Sequence, residues 1–308
     1  MNRFLVAIAL AAVPALVGAQ ASPGVWTSGA TLTEPRAEIA ATVLDGRIYI
    51  AGGFDARGGD LTSLEVLDPA TGAWQTRAPM PQGLNHLGMA AWDGLVYVAG
   101  GSIGGTPSSG LFAYDPLLDG WSRLADLPLR RSAAVLVAAA GRLFVVGGVG
   151  DEPGVTLAYD PLSDMWERRA PLPTVREHLS AAVVDERIYV IGGRWGDQGN
   201  LAANEVYDPA SDRWEVRSPM PTRRGGLTAA VVDGQIHVLG GEAFDPNRTF
   251  PEHEVYDPLI DGWTTAQPLP TPRHGLGSAA LEHDLYIIGG GTSAGLSTST
   301  TVEIFSDR

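Results

Sequence analysis

The sequence predicts an all-β ring of six four-stranded blades, and three markers repeating in step predict it. Pairs of glycines stand at Gly52 and Gly53, Gly100 and Gly101, Gly147 and Gly148, Gly192 and Gly193, Gly240 and Gly241, and Gly289 and Gly290, spaced 48, 47, 45, 48 and 49 residues apart. Tryptophans keep the same pace at Trp26, Trp74, Trp121, Trp166, Trp214 and Trp263. An Asp-Pro step at Asp68, Asp115, Asp160, Asp208 and Asp257 precedes a tryptophan by six residues each time. A fixed period of this length marks a repeat architecture built from one supersecondary unit.

Within a unit the apolar runs have strand length. In the fourth, residues 179–184 form a first short strand, Asp185 and Glu186 turn it, and residues 187–191 form a second that ends at the glycine pair. A variable loop leads to a third strand at 205–207. A hairpin over 208–212 follows, with Pro209 fixing φ and Asp208 capping the turn, and the fourth strand is 214–216. Four short antiparallel strands per unit make a propeller blade. The paired glycines remove side chains where blades approach closely, and the tryptophan fills the space between them.

A glycine pair followed by a tyrosine and then a tryptophan resembles the Kelch-repeat family. Tyr114, Tyr159, Tyr207 and Tyr256 match the tyrosine position, while Leu67 and Phe305 depart from it. The resemblance covers the whole chain after the first 21 residues and implies a six-bladed Kelch-type β-propeller. On function it is nearly silent, because that family includes enzymes, adaptors and structural proteins. Kelch-type copper oxidases use a tyrosine cross-linked to cysteine, and a chain with no cysteine excludes that chemistry.

The ends predict how the ring closes. Trp26 precedes the first glycine pair and no tryptophan follows the last. Only three strands remain there, at 278–281, 285–288 and 301–305, so the N-terminal strand around Trp26 completes the last blade. Closure removes exposed strand edges.

Composition narrows the partners. The 308 residues carry a formal charge of −14, which disfavours nucleic acid and anionic membrane surfaces. Residues 1–21 read as an export signal: Arg3, an apolar run over 4–17, then the small-x-small step Ala19, Gln20, Ala21. That run is shorter than the ~20 residues of a spanning helix. The expected product is an exported, periplasmic or secreted domain of residues 22–308, monomeric and without a membrane span.

Strand direction sorts the connections into a face of short uniform turns and a face of variable loops, where a rigid scaffold carries function. On the variable side, sixteen residues before the glycine pair, stand Arg36, Arg131, Arg176, Arg224 and Arg273, with Leu84 in the second unit. One reading is a basic collar at the channel mouth that takes carboxylates. The other is an ion pair inside each blade, because Glu65, Glu205, Glu254 and Glu303 recur in the same units. Leu157 breaks that pattern in the third unit, which singles out Arg131 as the arginine free for a ligand.

His86 and His178 lie two positions after this register and His274 one after, in alternate blades. Three imidazoles on one axis suit a metal, but an open mouth holds them too far apart for ligand bonds of ~2 Å, so no metal and no cofactor is expected. Glu38 and Glu177 share the rim, and with His178 they are the acid–base candidates. Trp195, outside the repeating tryptophan register, is a candidate stacking platform. No phosphate loop, nucleophile elbow or metalloprotease motif occurs. The expected function is therefore a binding module for a protein or carbohydrate ligand on the variable face. A sugar mutarotase or epimerase of the sialic-acid type, working in the channel mouth, is the alternative.

Overall fold

The computed structural model describes residues 24–306, so the expected export signal lies outside the described residues. Six antiparallel sheets form the blades, five of them four-stranded and one carrying a fifth short strand. Blade 1 is Ala40–Leu44, Arg47–Ala51, Leu64–Asp68 and Ala73–Arg77, and blades 2 to 4 repeat it. In blade 5 the first two strands lengthen to Gly225–Val232 and Gln235–Phe244, and Asn247–Thr249 folds back on the second as a finger. The innermost strands contact one another in a closed cycle, blade 6 meeting blade 1. Among the described residues no helix is long and apolar enough to cross a membrane.

The repeating residues lock neighbouring blades together. Gly52 has φ of 62°, and a Cβ there would lie 2.4 Å from the carbonyl oxygen of Leu84 in the next blade. Gly53 then donates its N–H to that same carbonyl at 2.9 Å. Only glycine permits both the left-handed backbone and the approach. At the blade rim each tryptophan reaches back one blade: the Trp121 indole N–H donates to the carbonyl of Ala78 at 2.8 Å, and Trp166 to Ala125 at 2.8 Å. The amide of Ala78 donates to Asp119, which also accepts from the Tyr114 hydroxyl at 2.6 Å. Tyrosine and aspartate therefore work as a unit, and the first blade, with Leu67, has Gly72 in place of the aspartate.

Ring closure follows the expected route. Val25–Ser28 pairs antiparallel with Val302–Ser306, setting Trp26 opposite Phe305. Behind it the seam is built on a buried histidine. His253 packs edge-on against Phe305 at 4.7 Å and against Trp26 at 5.9 Å. Its Nδ1 donates to the Gln267 carbonyl, which also accepts the Trp26 indole N–H, and its Nε2 meets His237 Nδ1 at 2.8 Å. Burial, the neighbouring His237 and Arg224 push the His253 pKa down to about 3, against the pull of the Gln267 carbonyl. The unfolded chain, with an ordinary imidazole near 6.5, binds more protons than the fold between these values, so stability is complete above pH 6.5 and falls as pH drops. Denaturant titration should show about 2–3 kcal/mol lost by pH 4.5. The slope over that window should flatten in His253→Gln; an equally steep loss in the variant removes the assignment.

Candidate functional site at the channel mouth

Six residues, one per blade and each two positions after the arginine register, form the channel mouth: Glu38, His86, Ala133, His178, Gly226 and Gly275. All have φ between 50° and 68°. Each donates its N–H to the carbonyl of its counterpart in the preceding blade, in a closed cycle of six hydrogen bonds of 2.7–3.0 Å. Four of the six are not glycine and accept a backbone state that costs each roughly 1–2 kcal/mol; strain held so regularly points to a use for their side chains. Gly275 has a separate reason to lack one, since a Cβ there would lie 2.5 Å from the Glu38 carboxylate. Below the ring runs a cavity of about 160 Å³ lined by the first strands of the blades.

The cycle draws the rim closer than an open mouth would. Glu38 Oε2 lies 3.4 Å from His86 Nε2 and 3.9 Å from His178 Nε2, and the two rings stack edge to face at 4.8 Å. His274 reaches the other side, its Nδ1 3.3 Å from Glu38 and 3.4 Å from Glu242. Burial opposes ionising Glu38, yet His86, His274 and His178 outweigh it and hold the carboxyl well below the usual range. Burial pushes His178 well below the ordinary imidazole value despite Glu38. For His274, burial is outweighed by Glu38 and Glu242, which hold it above that value. His274, beside two carboxylates, is shifted toward its charged form, and His178 toward its neutral form. Glu177 is engaged on both sides, by His178 Nδ1 and by Arg194 Nε at 2.8 Å.

The arginine register lies elsewhere. Arg36, Arg131, Arg176, Arg224 and Arg273 are all 0–1 % exposed, among the largest fully buried side chains. Arg36 pairs with Glu65 at 2.8 Å, Arg176 with Glu205 at 2.5 Å, Arg224 with Glu254 at 2.5 Å and Arg273 with Glu303 at 2.8 Å. The ligand-facing collar is therefore corrected to a set of ion pairs inside the blades. The expectation that Arg131 is free is corrected as well. Its guanidinium donates to the carbonyls of Asp151, Glu152 and Arg130, taking from the backbone what the missing glutamate does not supply. Trp195 is half-buried in a short ladder in which Arg194–Trp195 pairs with Gly199–Asn200, and it does not line the groove described next.

That groove, of about 920 Å³, opens on the variable face between the Arg194–Asn200 hairpin of blade 4 and the finger of blade 5. Arg223 lines it, exposed and in no ion pair among the described residues. Arg194 lies over the ring of Phe244 at 5.1 Å and Arg248 over that of Phe250 at 4.1 Å. Gln198, Asn200 and Asp245 complete its polar edge. Arg194 joins groove to mouth, since its Nη1 also holds Glu242 at 2.6 Å.

Sequence reasoning missed Arg194 and Glu242, although a signal existed. Each directly follows a glycine pair, so the two occupy one register in adjacent blades with opposite charges. The finger of blade 5, and with it Phe244 and Arg248, had no repeat to announce it.

Comparison with known proteins agrees with the architecture. No curated protein matches the sequence. The solved structure of YjhT superposes with a TM-score of 0.77 at 17 % identity, over 89 % of this chain and 95 % of that one, a likeness that carries the fold alone. The KLHDC2/KLHL20/DRC7 Kelch-repeats domain matches residues 24–193 and 125–290. With six glycine-paired blades and that match over most of its length, the chain belongs to the Kelch-repeat family.

Proposed function

We propose that the chain is an exported binding module that takes a carboxylated carbohydrate in the groove between blades 4 and 5. The observation that carries this reading is the exposed guanidinium groups of Arg223 and Arg248, with Arg194 held by Glu177 and Glu242 beside them, around one concave site of a protein whose net charge is −14. Guanidinium grips a carboxylate with two parallel hydrogen bonds. Phe244, 56 % exposed, offers an apolar face for a sugar ring, and Gln198 and Asn200 offer hydrogen bonds to hydroxyls. A groove of this size falls within the range of small-ligand sites. Export is supported by the basic start, apolar run and small-residue step of residues 1–21.

Thermal unfolding against a panel of neutral and acidic sugars tests the reading, because binding to the folded state raises the melting temperature. A rise with acidic sugars only is expected. Arg223→Ala and Arg248→Ala should each weaken binding by roughly tenfold or more, the worth of one charged hydrogen bond. A flat panel rejects the carbohydrate and transfers the groove to a protein partner.

The Glu38–His86 contact supports a second reading, proton transfer on a sugar at the channel mouth in a mutarotase or epimerase. It requires turnover of a sugar anomer that Glu38→Gln abolishes.

A further inference from the structure

We propose that Glu38, His86 and His178 form a zinc-binding site at the channel mouth, separate from the groove and independent of what the groove binds. The inference rests on which atoms carry protons. Asn85 Nδ2 donates to Asp60 Oδ1, a carboxylate that can only accept, so the amide oxygen of Asn85 faces His86 Nδ1. That nitrogen must donate, so whenever the ring is neutral its lone pair falls on Nε2. His178 repeats the arrangement with different parts. Its Nδ1 abuts the Glu177 carboxylate, which Arg194 anchors, a neighbour that favours the tautomer with the proton on Nδ1 and the lone pair on Nε2.

Both Nε2 lone pairs then point at one carboxylate oxygen, at 3.4 and 3.9 Å. With both rings neutral, three acceptors converge with no donor among them. Such a cluster calls for a cation. His274 does not supply it, because its Nδ1 stands on the other carboxylate oxygen, between Glu38 and Glu242.

The spacing is close to that of a bound metal. Two ligand atoms on one tetrahedral zinc, at bonds of about 2.0–2.1 Å, lie about 3.4 Å apart. His86 and Glu38 already stand at that distance, and His178 lies about half an ångström beyond it from Glu38. All three ligand atoms fall within 4.8 Å of one another. Outer partners that fix ring and tautomer accompany histidine ligands as a rule; here the Asp60–Asn85 pair is hydrogen-bonded to His86 and the Arg194–Glu177 pair abuts His178. The closed backbone cycle holds the three ligands at fixed places on blades 1, 2 and 4. Two imidazoles and one carboxylate favour zinc over magnesium or calcium, which take oxygen ligands.

The test uses the whole chain, produced without a histidine tag and stripped with a chelator. Calorimetric titration with zinc chloride should show saturable binding of one equivalent, with none for magnesium or calcium. Cobalt should give a visible absorption band that zinc abolishes. His86→Gln and His178→Gln should each weaken zinc binding by roughly tenfold or more, while His283→Gln, an exposed histidine paired with Asp233, leaves it unchanged. Absence of saturable zinc binding overturns the proposal, as does binding undiminished in both variants. The cobalt spectrum of the unaltered protein decides the matter if a variant fails to fold.

Discussion

Arg176→Ala lowers the melting temperature by roughly 6–20 °C, the equivalent of about 3–5 kcal/mol at 2–4 °C per kcal/mol for a domain of this size. The guanidinium spends its donors on Glu205 and on the carbonyls of Gly192, Thr174 and Val190, all at 2.5–2.8 Å. Truncation leaves those carbonyls bare and strands Glu205, which is 2 % exposed, as a buried charge held only by Thr174. Breaking one side of such a pair is costly, whereas replacing both partners by apolar groups is far less so. The double variant Arg176→Met/Glu205→Leu should therefore recover most of the loss. Thermal and denaturant unfolding read the effect; a change below about 1 kcal/mol, the scale of an exposed pair, would remove the structural role.

Removing residues 1–29 opens the ring and has the second large effect. Val302–Ser306 loses its partner strand and becomes an exposed edge beside a half-uncovered Phe305. The indole of Trp26 no longer holds Gln267, and the seam over His253 is exposed. Loss of the tryptophan alone is worth about 3 kcal/mol or more, and an unpaired edge invites association with other chains. Size-exclusion chromatography should find the truncated chain self-associated, with its melting temperature lowered by at least 6 °C. A synthetic peptide of residues 22–31 should restore the monomer. A truncated chain that stays monomeric with an unchanged melting temperature would contradict closure by this strand.

The fold was legible because its determinants repeat. A glycine that must approach a neighbouring carbonyl, and a tryptophan that must reach back one blade, leave the same residue at the same phase six times. The structural use of the arginines was legible from the glutamates that accompany them. Arg131 misled because its partners are backbone carbonyls, which no residue type announces. The histidines were visible at the right phase, but their convergence was not. It depends on six left-handed residues being tied in a hydrogen-bonded cycle, a consequence of ring size that one repeat does not contain. The groove owes its wall to the finger of blade 5, an insertion that breaks the repeat, and insertions carry function without leaving a periodic mark.

The two sets of arginines thus divide the work, those of the register holding each blade together from within and those of the loops facing a ligand. Calorimetric titration of a carboxylated sugar into Arg176→Ala and into Arg223→Ala/Arg248→Ala, below the melting temperature of each, separates them most directly. The predicted result is full affinity in the first, despite its lowered stability, and lost affinity in the second at unchanged stability. Lost affinity in Arg176→Ala together with undiminished affinity in the double variant would place the ligand at the register and contradict the division.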